Sequence, residues 1–176
     1  ASLKNLEDKF IPFIFDVNDK SAWLDFYNFL ISNNIVLDVL INNAGFGLFG
    51  EFTETNLDKE LDMIDLNIKS VHTLTKQFVK DFKEKNSGYI LNVASSAGFM
   101  PGPYMATYYA TKAYVTRMIE AIYEEIRRLG KNVHISALCP GPVNTNFNKV
   151  AGANFSLSGC SSSYVARYAV DKLFKN

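Results

Sequence analysis

The chain has 176 residues, 48% of them hydrophobic and 20% charged, and its eighteen basic residues balance eighteen acidic ones. That length suits one domain with a real core. The zero net charge, with no Lys/Arg block, argues against nucleic acid as main partner and against a polybasic membrane anchor. No apolar run reaches the roughly 18 residues of a membrane span.

In chain order, the segment Phe10 to Val17 is a short apolar run and reads as a strand. Asp19 caps a helix that runs to Ser32. Val36 to Gly45, "VLDVLINNAG", is a buried strand ending in small and polar residues. Thr55 with Asp58 resembles a capping box. A long helix comes next, with Leu57, Leu61, Ile64, Ile68, Val71, Phe78 and Phe82 on one stripe at helical spacing. Gly88 to Ser96 is the next strand, and "AGFMPGPYMA" a loop. Thr107 to Leu129 is a helix whose stripe includes Val115, Ile119, Ile122, Ile126 and Leu129. "NVHISALCPGP" is a fourth strand that runs into a breaker. A Gly/Asn/Ser-rich stretch fills 144–163, and "YVARYAVDKLF" closes the chain as a helix.

Buried strands alternating with helices predict an α/β fold of parallel βαβ units, with helices on both faces of the sheet. Ligands in such sheets bind beyond the carboxyl ends of the strands. Those ends carry "DVND", "NNAG", "ASSAG" and "CPGPVNT", all small, polar and turn-forming.

"GFGLFG" at 45–50 matches the spacing of a dinucleotide-binding glycine turn, but that turn requires a helix to start within it. Here the cap falls at Thr55, too late, so this match is set aside. Cys139 and Cys160 form no CxxC pair and read as free thiols of a reducing, cytoplasmic compartment. His72 and His134 stand isolated, and no metal site is expected.

Two tyrosines precede Lys112: Tyr109 by three residues and Tyr108 by four. Both offsets are neighbours on a helix, so spacing alone leaves the choice open. The set of "NNAG", Asn67 within a helix, Ser95 and Ser96 after a strand, "YYATK" and "PGPVNT", in that order, resembles the short-chain dehydrogenase/reductase family from about Phe13 to Phe174. That resemblance selects Tyr-x-x-x-Lys, hence Tyr108 with Lys112, and with Tyr108 the serine thirteen residues earlier, Ser95.

A free phenol ionises near ~10, and a nearby ammonium would lower that by roughly 1–3. That would suit a general acid/base for moving a proton on an alcohol or carbonyl oxygen. The resemblance implies an NAD(P)-dependent oxidoreductase, with NAD or NADP left open, that interconverts a ketone or aldehyde and an alcohol. Tyr108 would be its acid/base. Lys112 would grip the nicotinamide ribose, Ser95 would polarise the reacting oxygen, and Asn67 would hold a water linking Lys112 to solvent. Pro140, Gly141, Val143 and Thr145 would line the nicotinamide. Asn42, Ala44 and Gly45 would lie along the adenosine side, and Asp16 would meet the adenine amino group. The pocket segments, Phe99 to Met105 and Phe147 to Ser163, are rich in Phe, Met and Tyr and suggest an apolar small-molecule substrate. A homodimer or homotetramer is also implied.

The resemblance is to a Rossmann-like doubly wound sheet whose first two strands are missing from this sequence. The glycine-rich T-G-x-x-x-G-x-G turn is absent as well. At roughly 30 residues per βαβ unit, about 50–70 residues would precede Ala1. The chain is therefore expected to be a partial Rossmann-like oxidoreductase domain over 1–176, binding cofactor poorly by itself. The alternative function is a non-catalytic relative that kept the scaffold as an interaction module.

Overall fold

The computed structural model describes residues 11–153 and 158–175. The chain divides into two compact units, Ala1–Val36 and Leu37–Asn176.

In the first unit, helix α1 spans Lys20–Ser32. Ahead of it, 11–17 forms no strand, which corrects the expectation for Phe10 to Val17; Phe10 itself lies outside the described residues. A strand exists only through a neighbour that takes up its backbone hydrogen bonds, and among the described residues none is offered here. The side chains turn to α1 instead. Phe13 sits 5.3 Å from Phe26 and 5.1 Å from Phe29 between ring centroids, and Phe15 stacks on Phe26 at 5.3 Å.

The second unit is built on a parallel sheet in the order β1 (Val39–Asn42), β2 (Gly88–Val93), β3 (Val133–Leu138). Register pairs Asn42 with Asn92 and Val93 with Leu138, so the carboxyl ends of the strands fall side by side. The pairing continues past the ladder, with Ala94 N donating to Leu138 O at 2.8 Å and Ser96 N to Pro140 O at 2.9 Å.

Strand alternation sorts the side chains between two helical layers. On one face Asn42 donates to Thr75 of the helix α3 (Val71–Lys85), and Ile90 and Asn92, both fully buried, lie on that same face. On the other, Leu91 packs with Ala169 and Leu173 of the helix α6 (Ser162–Leu173), with Val39, Tyr89 and Leu138 against them. Helices therefore cover both faces, as the alternating pattern predicts.

The long helix expected from Leu57 onward differs in three respects. Its cap is Asn56, whose side chain accepts from Lys59 N at 2.9 Å; Thr55 instead hydrogen-bonds Phe52 O and Glu60. The helix α2 (Leu57–Ile64) then passes through a wide π-helical turn at Asp65–Ser70 before α3 begins. The extra residue in that turn rotates the helical turns before it relative to those after it. One continuous apolar stripe therefore cannot stay buried. Leu57 and Leu61 are exposed, while Glu60, Met63, Asn67, Thr75, Phe78 and Phe82 are buried. Asn56→Ala should cost about 1 kcal/mol of stability, the usual worth of a side-chain cap, measurable as a lowered urea midpoint with unchanged slope.

The helix α4 (Ala106–Arg128) buries Val115, Ile119 and Ile126 as expected, but Leu129 beyond its end is exposed. The 144–163 stretch carries structure of its own. A two-residue strand β4 (Val143–Asn144) pairs in parallel with β5 (Cys160–Ser161), and a short helix α5 (Phe147–Ala151) lies between them. Among the described residues no helix is long and apolar enough to cross a membrane, and no cluster could hold a metal ion.

Candidate active site

The strand ends converge on the amino-terminal half of α4. Val93 is the last residue of β2, and its carbonyl accepts from Lys112 Nζ at 2.8 Å. This contact ties the lysine to the sheet one turn beyond Tyr108 on the same helix face. The Nζ lies 5.8 Å from the centroid of the Tyr108 ring. Lys112 and Tyr108 are both buried.

Ser95 comes after β2 in extended conformation and caps a single 3-10 turn, Ser96–Phe99, by accepting from Ala97 N at 3.2 Å. It also hydrogen-bonds the Tyr108 hydroxyl. Ser95 and Lys112 are thus both neighbours of Tyr108. The Tyr109 ring lies 6.0 Å from that of Tyr108 and packs so tightly on Gly102 that a Cβ there would come within 2.4 Å of it.

Asn67 sits in the π turn, 1% exposed, and its three hydrogen bonds explain why an asparagine is held there. Phe46 N donates to its Oδ1 at 3.2 Å, while its Nδ2 donates to Phe46 O at 2.9 Å and to Thr111 Oγ1 at 3.1 Å. The residue clamps the loop after β1 onto α4. Gly45 belongs to that clamp, since a Cβ there would stand 2.8 Å from Asn67 Oδ1 and 3.6 Å from Lys112 Nζ. Gly98 lets the 3-10 turn rest on α4, where a Cβ would be 2.8 Å from the Lys112 carbonyl oxygen. Thr111 and the Phe46 main chain escape sequence reading, because only the fold shows which backbone Asn67 faces.

The electrostatics differ from the expected lowering of the phenol. Burial pushes the Tyr108 hydroxyl above 10.0; a hydrogen bond with Ser95 pulls the other way but does not win. The Lys112 ammonium is directed at Val93 O and hangs over the ring, so it does little for the hydroxyl. Burial lowers Lys112 itself from 10.5 to about 8. Both groups are thereby biased toward their neutral forms.

Of the other predicted residues, Ala44 and Gly45 are exposed on the loop after β1. Asn42 is buried and its amide is engaged inside the sheet, donating to Asn92 Oδ1 at 2.8 Å and Thr75 Oγ1 at 3.1 Å, so its side chain braces strands rather than facing that loop. Pro140 lies beside Ser96, and Gly141 opens onto free space, with nothing within 4 Å of where a Cβ would stand. Val143 is in β4, and Thr145 Oγ1 accepts from Phe147 N at 3.2 Å at the head of α5. Asp16 belongs to the first unit, where its carboxylate accepts from Asn18 N at 2.9 Å in the turn leading into α1. Phe147, named from sequence only as part of a pocket segment, has its ring 5.2 Å from that of Tyr108.

The edge could receive the nicotinamide half of a dinucleotide. Gly45 leaves room beside Lys112, where a side chain would crowd Asn67 Oδ1 and Lys112 Nζ, and Gly141 faces open space beside Pro140. The turn at 45–50 leads into no helix until Leu57, so it offers no helix amino end to a pyrophosphate.

Comparison with known proteins agrees with this architecture. Residues 1–154 match the family described as short chain dehydrogenase. An uncharacterised short-chain type dehydrogenase/reductase of Sinorhizobium fredii is 34% identical over 145 residues, covering 80% of this chain and 54% of the relative. A short-chain dehydrogenase from Sphingobium yanoikuyae in complex with NADPH superposes with a TM-score of 0.77 at 24% identity, over 89% of this chain and 62% of the other. A 4-hydroxyisoleucine dehydrogenase complexed with NADH gives 0.76 at 22% identity, over 92% and 71%. The chain spans about half the length of the first curated relatives it matches. With a three-stranded parallel sheet, both helical layers and the strand-end site in place, the chain belongs to the short-chain dehydrogenase/reductase family.

Proposed function

We propose that the complete protein is an NAD(P)-dependent oxidoreductase that interconverts a ketone or aldehyde and an alcohol, with Tyr108 as general acid/base. The observation that carries this reading is the convergence of half-buried Ser95 with buried Tyr108 and Lys112 at the carboxyl edge of the sheet. A structural helix pair would have no reason to seat an ammonium and a phenol together out of water, where each is costly.

The bound nicotinamide would supply or accept the hydride. The chain's residues handle the oxygen. With its ionisation pushed upward by burial, the Tyr108 phenol is protonated at neutral pH, the form that donates to a carbonyl oxygen during reduction. The Ser95 hydroxyl reaches the same oxygen and stabilises charge as it develops. Lys112 Nζ has one donor engaged with Val93 O and retains others for a ribose hydroxyl. Asn67 and Thr111 keep the loop after β1 against α4, so that Gly45 and Lys112 form one wall. Pro140, Gly141, Val143 and Thr145 would line the nicotinamide, and Ala44, Gly45 and the main chain of Asn42 the adenosine side.

The substrate would be apolar. Met63, Met105 and Ala151 pack around Tyr108, with Phe46, Tyr109 and Phe147 against them. The test is nicotinamide absorbance with the complete protein and a panel of apolar ketones. Turnover with NADH or NADPH is expected. Cofactor binding without turnover of any carbonyl or alcohol would favour the scaffold alternative.

A further inference from the structure

Glu60 is a carboxylate in the wrong place for a surface helix. It lies on α2 yet is 8% exposed. Its two oxygens are divided between two hydroxyls: Oε1 accepts from Thr55, and Oε2 accepts from Thr107 at 2.7 Å. Thr107 is the residue before Tyr108, in the first turn of α4. The N-cap residue of that helix, Met105, makes no side-chain cap hydrogen bond. The amino end of the helix carries partial positive charge, which a nearby carboxylate stabilises. One turn along α2, Met63 is fully buried in the cluster that contains Tyr108 and Met105.

We propose that Glu60 is a positioning residue for Tyr108: gripped between Thr55 and Thr107, its carboxylate pins the first turn of α4 and thereby sets where the phenol lies against Ser95. The idea rests on the oxidoreductase reading above only for its kinetic arm.

The chemistry requires a carboxylate rather than an amide. Two hydroxyls donate to Glu60, so two acceptor oxygens are needed; glutamine has one, and its NH₂ would face a donor. Thr107→Ser keeps the hydroxyl, whereas Thr107→Val removes it at similar volume. A displacement of the phenol by about 1 Å costs up to about 100-fold in rate. The expected outcome is that Glu60→Gln and Thr107→Val each lower kcat about tenfold, with KM for the nicotinamide changed less than about twofold. The double variant should be no slower than the worse single one, because both changes break the same link, and Thr107→Ser should restore kcat. Multiplying losses in the double variant, or a kcat unchanged in folded Glu60→Gln and Thr107→Val, would overturn the proposal.

A second arm needs no turnover. Tyrosine labelled with ¹³C at Cζ is titrated by NMR in the complete protein, with the Tyr108 signal assigned from Tyr108→Phe. Loosening the first turn of α4 admits water, so the Tyr108 midpoint should fall toward its ordinary value in Thr107→Val and Glu60→Gln, and return in Thr107→Ser. A Tyr108 midpoint identical in all of them would sink the idea whether or not the protein reduces carbonyls. If the protein shows no turnover but the midpoint shifts as expected, the oxidoreductase reading fails and the positioning role stands.

Discussion

Tyr108→Phe in the complete protein should lower kcat for carbonyl reduction by about 10²–10⁴-fold, the usual worth of a positioned general acid. The fold should survive. The ring packs among Met63, Met105 and Ala151, with Phe147 at 5.2 Å, and phenylalanine keeps all of that surface. What it loses is the hydroxyl bonded to Ser95. The same change at Tyr109 should leave the rate within about threefold, since phenylalanine keeps that ring's packing on Gly102 and the Tyr108 cluster. Steady-state kinetics with a thermal melt of each variant checks both. A Tyr108→Phe enzyme running near the wild-type rate would remove this residue from the chemistry, and a slow Tyr109→Phe would mean the wrong tyrosine had been chosen.

Lys112→Met should weaken nicotinamide binding and yet change stability in the opposite sense at high and neutral pH. The unfolded chain keeps a proton on Lys112 up to about 10.5, whereas the folded chain gives it up near about 8. Folding therefore expels a proton between those values, and stability rises with pH through that window. Below about 8 the full penalty of holding the buried charge is present. Converted at about 1.36 kcal/mol per pH unit, it is on the order of 3 kcal/mol, a large part of the roughly 5–15 kcal/mol that holds a domain together. Methionine carries no such penalty, although it leaves Val93 O without its donor, at about 1–3 kcal/mol. The net expectation is a variant at least as stable as wild type at pH 7 that loses this advantage as pH approaches 10. Urea unfolding of both proteins at pH 7, 8, 9 and 10 checks it. A stability difference that stays constant across that range would mean Lys112 is charged in the folded chain throughout.

These two expectations share one physical origin. Burial that raises Tyr108 and lowers Lys112 is a cost to the fold, and it concentrates where chemistry would use it. Asn67 obeys the same logic at the level of the backbone. An α-helix does not favour asparagine, and here the helix widens into a π turn around it, so that its amide reaches Phe46 and Thr111 instead of solvent.

Much of this was legible in the residues. The strands β1, β2 and β3 and the helix α4 emerge from apolar runs and period alone, because strands buried on both faces leave almost no room for polar residues. The family resemblance singled out Ser95, Tyr108 and Lys112, and the structure places those three side chains near one another. The candidate site's place at the strand ends was proposed from the small and polar segments that cluster there.

The remainder was not, for reasons that lie outside local sequence. Residues 11–17 have every compositional mark of a strand, but a ladder needs a partner, and composition says nothing about who stands alongside. Asn56 and Thr55 are both good caps, and only the reach of Thr55 to Glu60 decides between them. The phenol's ionisation could not be read from one-turn spacing, since spacing does not tell where the ammonium points; Val93 O decides that. Glu60 looks in sequence like any solvated helical charge.

The amino-acid sequence by itself determined the kinds of element, their order and the chemical groups available, because periodicity and motif spacing are properties of a chain. Tertiary structure alone decided which of those groups lose water and which backbone atoms they meet. Desolvation and hydrogen-bond partnership depend on neighbours brought together from distant positions, and it is these that place Lys112 at Val93, Asn67 at Phe46 and Glu60 at Thr107.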